Sequence, residues 1–206
     1  MASDRKAKNT WVLAVVGLVV VGLAAGLQAM SPPASALTLA IRTLALVGYQ
    51  LVFLSIVSSA YTMELVRFFG RPFIRVHHIA SVTGLVLITL HPILVAVNSR
   101  SAGVFLPRFD SLSVFLQLGG RPAWFLIALA VTAAFLRQKI GGKWRWLHVL
   151  NYLAFALATA HANLLGANFQ ALAPRVVSWT MLFAILAVFV RKRLPKRKPA
   201  QVRRAP

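Results

Sequence analysis

Apolar residues in this chain come in runs much longer than a single helical stripe. Short stretches holding nearly all the charge separate them. About 20 predominantly apolar residues, coiled as a helix, cross the hydrocarbon core of a bilayer. Six runs approach that length: 11–30, 39–59, 74–97, 122–136, 147–165 and 176–190. The fourth is short and opens on Pro122, a residue suited to the first turn of a helix. Segment 111–120 ahead of it therefore reads as a separate surface piece, although the run can be extended back toward Phe115. Pro32, Pro33, Pro107 and Pro174 fall in the connections. The expected fold is all-α: an integral membrane bundle of six transmembrane helices over 11–190, between a basic amino terminus at 1–10 and a basic tail at 191–206.

Arg5, Lys6 and Lys8 precede the first run, as basic residues precede a signal peptide. That run is longer than a typical signal core and is read as a retained helix. Gly22 and Gly26 within it form a small-xxx-small pair, which predicts close helix packing.

Charge sets the orientation. The amino terminus, the 60–75 and 137–146 loops and the tail hold 3, 3, 4 and 8 Lys and Arg, 18 in all. The opposite side holds four (Arg100, Arg108, Arg121 and Arg175), and Arg42 lies inside the second run. Positive residues collect on the cytoplasmic side, so both termini are expected inside, in the cell (inner) membrane. The formal charge of +20 does not indicate nucleic acid, because the basic residues sit in short clusters between apolar runs. The tail has no apolar periodicity and reads as a disordered basic end facing anionic lipid.

Composition narrows the chemistry. The 206 residues are 59% hydrophobic, more apolar surface than a soluble domain of this size can hide. There is no cysteine, which excludes disulfides, thiolate-held iron–sulfur clusters and covalently attached c-type haem. Asp4, Glu64 and Asp110 are the only acids, too few for a carboxylate metal cage or a long proton relay.

All five histidines fall in two runs: His77, His78 and His91 in the third, His148 and His161 in the fifth. Those runs are expected to point the same way through the membrane. His91 lies 14 residues beyond His77 (91 − 77), and His161 lies 13 beyond His148 (161 − 148). At 1.5 Å per residue each step is about 20 Å. Two levels result, each with one imidazole from either helix, an arrangement suited to two flat macrocycles held between axial histidines. At about 100° per residue the 14-residue step returns to within about 40° of the starting face. The 13-residue step ends about 140° away, so the fifth helix must bend or its two levels face differently. His78 would give the third helix the same 13-residue step, and geometry leaves the choice between His77 and His78 open. The alternatives to haem are a histidine-held zinc or copper ion and histidines that merely pack. Zinc prefers three or four clustered ligands, which two separated levels do not supply.

"RVHHIASVTGLVLITLH" and "KIGGKWRWLHVLNYLAFALATAH" resemble the ferric-reductase-like transmembrane family. That family includes NADPH oxidases, ferric reductases and the haem-binding membrane subunit of the bacterial methionine sulfoxide reductase system (MsrQ, also called YedZ). The second stretch is most similar to the MsrQ branch. The likeness covers the second to fifth runs, and the first and last by hydropathy alone. It implies that His77, His91, His148 and His161 are axial ligands of two b-type haems, paired His77 with His148 and His91 with His161. Many MsrQ-type members carry arginine where His77 stands, whereas this sequence has the full set of four.

No G-x-G-x-x-G occurs, and 16 residues follow the sixth run (191–206). Electrons are therefore expected from a separate flavoprotein, a bound flavin or a membrane quinone pool in its quinol form. The expected function is electron transfer from the cytoplasmic face to an acceptor protein or small molecule outside. Arg71, Arg75 or Arg145 inside and Arg121 outside are candidate partners for haem propionates. The rival readings are a stand-alone ferric or oxygen reductase component, a structural or assembly subunit without cofactor, and a small transporter. Transport is disfavoured by the absence of acids within the runs and of an obvious internal repeat.

Overall fold

A computed structural model describes residues 10–70 and 73–193. All regular structure among them is helical. In chain order the helices are α1 (Thr10–Ala29), α2 (Ala36–Ala60), α3 (Thr62–Phe69), α4 (Phe73–Ser99), α5 (Leu112–Gln117), α6 (Gly120–Phe135), α7 (Arg137–Ile140), α8 (Trp144–His148), α9 (Leu150–Leu165) and α10 (Leu172–Arg193). Four of these, α1, α2, α4 and α10, are long and apolar enough to cross a membrane. A fifth crossing is reached if α6 and the run Arg137–Leu165, which turns by 77° from it, count as one bent span. Few residues of these helices are buried within the protein, so the bilayer is the natural solvent of the bundle.

Local chemistry sets the ends. Ser35 caps α2, its Oγ accepting from the Thr38 amide at 3.3 Å, and Ser111 caps α5 through the Val114 amide at 3.2 Å. Gly70, at φ 86°, closes α3 in a backbone conformation that favours glycine. The core lies where α2, α6, α9 and α10 meet, around Val52, Ile127, Phe155 and Ile185. Tyr49 stacks on Phe155 with ring centroids 4.5 Å apart, and its hydroxyl lies 2.8 Å from Thr159 Oγ1. Thr159 gives its own proton to the Phe155 carbonyl at 2.8 Å, so Tyr49 donates to the threonine oxygen. Ala24 and Leu27 attach α1 to Leu46 and Phe169.

Several expectations change. The 60–75 loop contains α3, an amphipathic turn pair (TMELVRFF) too short to register as a run. The 111–120 segment is not all surface: Gly119 is buried, and α5 packs on α9. Pro174 sits inside the first turn of α10 rather than in a connection, where its missing N–H costs nothing. The last helix runs on through Arg191, Lys192 and Arg193; the rest of the basic tail, like residues 1–9 and Arg71, lies outside the described residues. The fifth run is broken. Val149 separates α8 from α9 directly after His148, between the two histidines whose spacing demanded a bend.

The small-xxx-small pair also corrects an expectation. A Cβ added at Gly22 or Gly26 would meet nothing within 4 Å, so that face of α1 is open. The tight crossing is elsewhere, between α2 and α4, the most extensive helix contact. There a Cβ on Gly48 would stand 2.7 Å from Ile88 Cγ2 and 3.2 Å from its backbone nitrogen. Gly48→Leu should therefore cost about 1–3 kcal/mol of stability by overpacking. Gly22→Leu should stay within about 0.5 kcal/mol of the parent. Denaturation in detergent, followed by circular dichroism, measures both; equal effects would contradict the packing described.

Candidate functional site

Each histidine that the sequence singled out as a ligand is held by its Nδ1, and three of the four are held by backbone carbonyls. His91 Nδ1 lies 3.1 Å from the Ile41 carbonyl of α2. His161 Nδ1 lies 2.6 Å from the carbonyl of Gln117, the last residue of α5, where no further turn of helix claims it. His148 Nδ1 makes a longer contact, 3.4 Å, with the Ala130 carbonyl of α6. His77 Nδ1 lies 2.9 Å from Ser58 Oγ. Ser58 already gives its only hydroxyl proton to the Ser55 carbonyl at 3.1 Å, so it accepts from His77.

A carbonyl oxygen can only accept. In His77, His91 and His161 the proton therefore resides on Nδ1, and Nε2 presents a lone pair. His148 Nδ1 lies between the Ala130 carbonyl at 3.4 Å and the Asn151 amide nitrogen, a donor, at 3.5 Å, so neither tautomer is fixed there. Among the described residues no hydrogen bond reaches Nε2 in any of the four rings. An acceptor on Nδ1 orients a ligating imidazole and raises its basicity.

The structure brings one pair of these histidines to a common space. His91 and His161 both line one cavity of about 340 Å³, with Arg42, Tyr49, Arg121 and Trp124 among the other walls. That volume lies within the range of small-molecule and cofactor sites, roughly 300–1,000 Å³. Gly120 opens part of it: a Cβ there would sit 2.8 Å from His161 Cδ2 and 3.0 Å from Nε2. Space in front of the nitrogen that is free to bind thus depends on a residue without a side chain.

His78 is exposed, its ring 5.8 Å from that of His77, and no hydrogen bond holds it. Arg75 and Arg145 are exposed as well, the latter 5.9 Å over the Trp144 ring. Arg121 does reach the cavity, while its Nη1 donates to the Gly103 and Leu106 carbonyls at 2.9 and 2.7 Å. Arg42 was passed over as part of an apolar run. A charge within such a run is itself a signal for a functional site. The orienting carbonyls could not have been found in the sequence, because a backbone acceptor has no residue identity.

No three His, Cys, Asp or Glu side chains among the described residues come together as a site for a bare metal ion. The residues present fit a ligand that brings its own equatorial donors and needs one imidazole on each side. Compared with known proteins, the chain matches no family model, no curated protein and no solved structure. The fold and the histidines define a class: an all-helical protein with the make-up of a multi-pass membrane protein and with imidazoles on a shared, mostly apolar cavity.

The tautomers are directly measurable. In the ligand-free protein, ¹⁵N spectra of labelled histidine should show His91 and His161 protonated at Nδ1 and bare at Nε2. An Nε2–H signal from either ring would contradict the hydrogen bonds described.

Proposed function

We propose that the chain is a membrane electron carrier of the ferric-reductase-like kind, taking two non-covalent b-type haems. One would lie between His77 and His148, the other between His91 and His161. The observation that carries this reading is that His91 and His161, each with Nδ1 against a backbone carbonyl and Nε2 without a hydrogen-bond partner, line one cavity. Haem in such a site supplies one-electron chemistry at an iron with both axial positions filled, which favours electron transfer over oxygen binding. The protein's part is orientation. Ile41, Gln117, Ala130 and Ser58 fix the rings, Gly120 keeps the space before His161 open, and the apolar walls exclude water.

In this reading the membrane is crossed six times. The order of contacts supports α6 and α8–α9 as separate, antiparallel spans. Gln117 and Gly120, at the start, meet His161, whereas Ala130, further on, meets His148. The excess of Lys and Arg then puts both termini in the cytoplasm of a cell with this protein in its inner membrane. Electrons would pass from a separate flavoprotein, a bound flavin or a quinol on that side to a protein or small-molecule acceptor outside.

Purified protein should contain about two haems per chain, both extractable, by the pyridine haemochrome assay. His91→Ala should remove one and leave the other. His77→Ala should remove the second, and His78→Ala should retain both. Protein that folds but carries no haem would overturn the proposal. A reporter fused after Pro206, or placed in the 137–146 loop, should be active in the cytoplasm; activity outside would mean an odd number of crossings.

A further inference from the structure

Arg42 and Arg121 stand in an unusual position. Both are half-buried and both line the cavity of His91 and His161, whose walls are mostly apolar. Neither has a carboxylate partner among the described residues. Glu64 pairs with Lys192 at 3.8 Å, Asp110 pairs with Arg108 at 2.8 Å, and Asp4 lies outside the described residues. Guanidinium stays charged at any physiological pH, and a charge facing a mostly apolar cavity is costly unless something neutralises it. Backbone carbonyls take one donor nitrogen from each: Arg42 Nη1 donates to Pro32 at 2.8 Å, Arg121 Nη1 to Gly103 and Leu106. An arginine has five N–H donors in a planar fork, so most remain for a ligand.

Their placement follows the histidines. Arg42 is next in sequence to Ile41, whose carbonyl holds His91. Arg121 follows four residues after Gln117, whose carbonyl holds His161. Each segment that orients an imidazole thus also brings a guanidinium to the same cavity. We infer that Arg42 and Arg121 form a two-armed clamp for the carboxylates of the ligand bound between His91 and His161, fixing its orientation and holding its iron at a higher potential. This rests on the haem reading above and adds the anion site. The sign follows from charge: a nearby guanidinium favours ferrous over ferric iron, which carries one more positive charge.

The test compares Arg42→Gln, Arg121→Gln and the two Lys variants with the parent, as full-length purified protein. Haem content and a spectroelectrochemical titration are read for each. In the Gln variants, the component that His91→Ala abolishes should shift negative by about tenfold in its redox equilibrium, or 59 mV for one electron, while the other stays put. The Lys variants should recover most of the shift, because the charge remains. Gln variants holding both haems at unchanged potentials would overturn the clamp, and a drop in thermal stability alone would reduce both arginines to loop anchors. Should the Gln variants lose that haem, the Lys variants decide: retention near the parental potential supports the clamp, and loss overturns it. A parent protein without haem would instead remove the reading beneath, a result distinct from a loaded protein indifferent to Arg42 and Arg121.

Discussion

A histidine among apolar helices has one nitrogen that must donate and one that must accept, and no water to serve either. Burying a hydroxyl- or amide-like group without a partner costs on the order of 1–3 kcal/mol. At His77, His91 and His161 this chain meets the donor side and leaves the acceptor side open. Much of the remaining structure can be understood as what is needed to bring an oxygen to each Nδ1. Two of those oxygens, on Ile41 and Ala130, belong to carbonyls within helices. The Gln117 carbonyl is freed by the end of α5 and makes the shortest of the four contacts, 2.6 Å. The interruption between α5 and α6 thereby supplies an acceptor that a continuous helix would have consumed.

The consequence is a division of labour between helices. α4, α8 and α9 bear the histidines, and α2 and the α5–α6 segment brace them. Contacts between α2 and α4 run in opposite directions along the two chains: Ile41 meets His91, Gly48 meets Ile88, Gly84 meets Leu51 and Ser58 meets His77. The second pair repeats the scheme, with Gln117 against His161 and Ala130 against His148. A side chain at Gly48 would spread the first pair and pull two acceptors away from two imidazoles at once. Packing and ring orientation are therefore coupled through the same crossing, and damage to one is damage to the other.

What was legible in the sequence was whatever leaves a mark on residue identity. Apolar runs gave helices close to those observed. The 13-residue step from His148 to His161 required a bend or two differently facing levels, and α8 gives way to α9 between them, at Val149. The glycines were harder: Gly22 and Gly26 have the spacing of a packing motif but face open space, whereas Gly48 and Gly120 have no motif and are indispensable in their places. Glycine spacing says that a helix can be approached, not that a neighbour is there. Likewise α3 is an eight-residue helix whose amphipathic pattern ends before a period can be established. Backbone acceptors are silent in any sequence, and Arg42 was obscured by the hydrophobic residues around it.

Two-ligand sites have a further implication for what such a bundle can hold. Pairs of imidazoles from separate helices cannot close a tetrahedral shell, and no third protein donor among the described residues joins either pair. A ligand that stays must bring most of its own coordination and much of its own binding surface. In the cavity of His91 and His161 that surface is mainly apolar, relieved by two guanidiniums that have no carboxylate partner among the described residues. The haem proposed above would answer these needs as a flat, largely apolar body with an electron-accepting centre and anionic edges. Each feature comes from a different physical need: orientation of Nε2, exclusion of water, and neutralisation of arginine. That one kind of molecule meets all three is a stronger argument than any histidine taken singly.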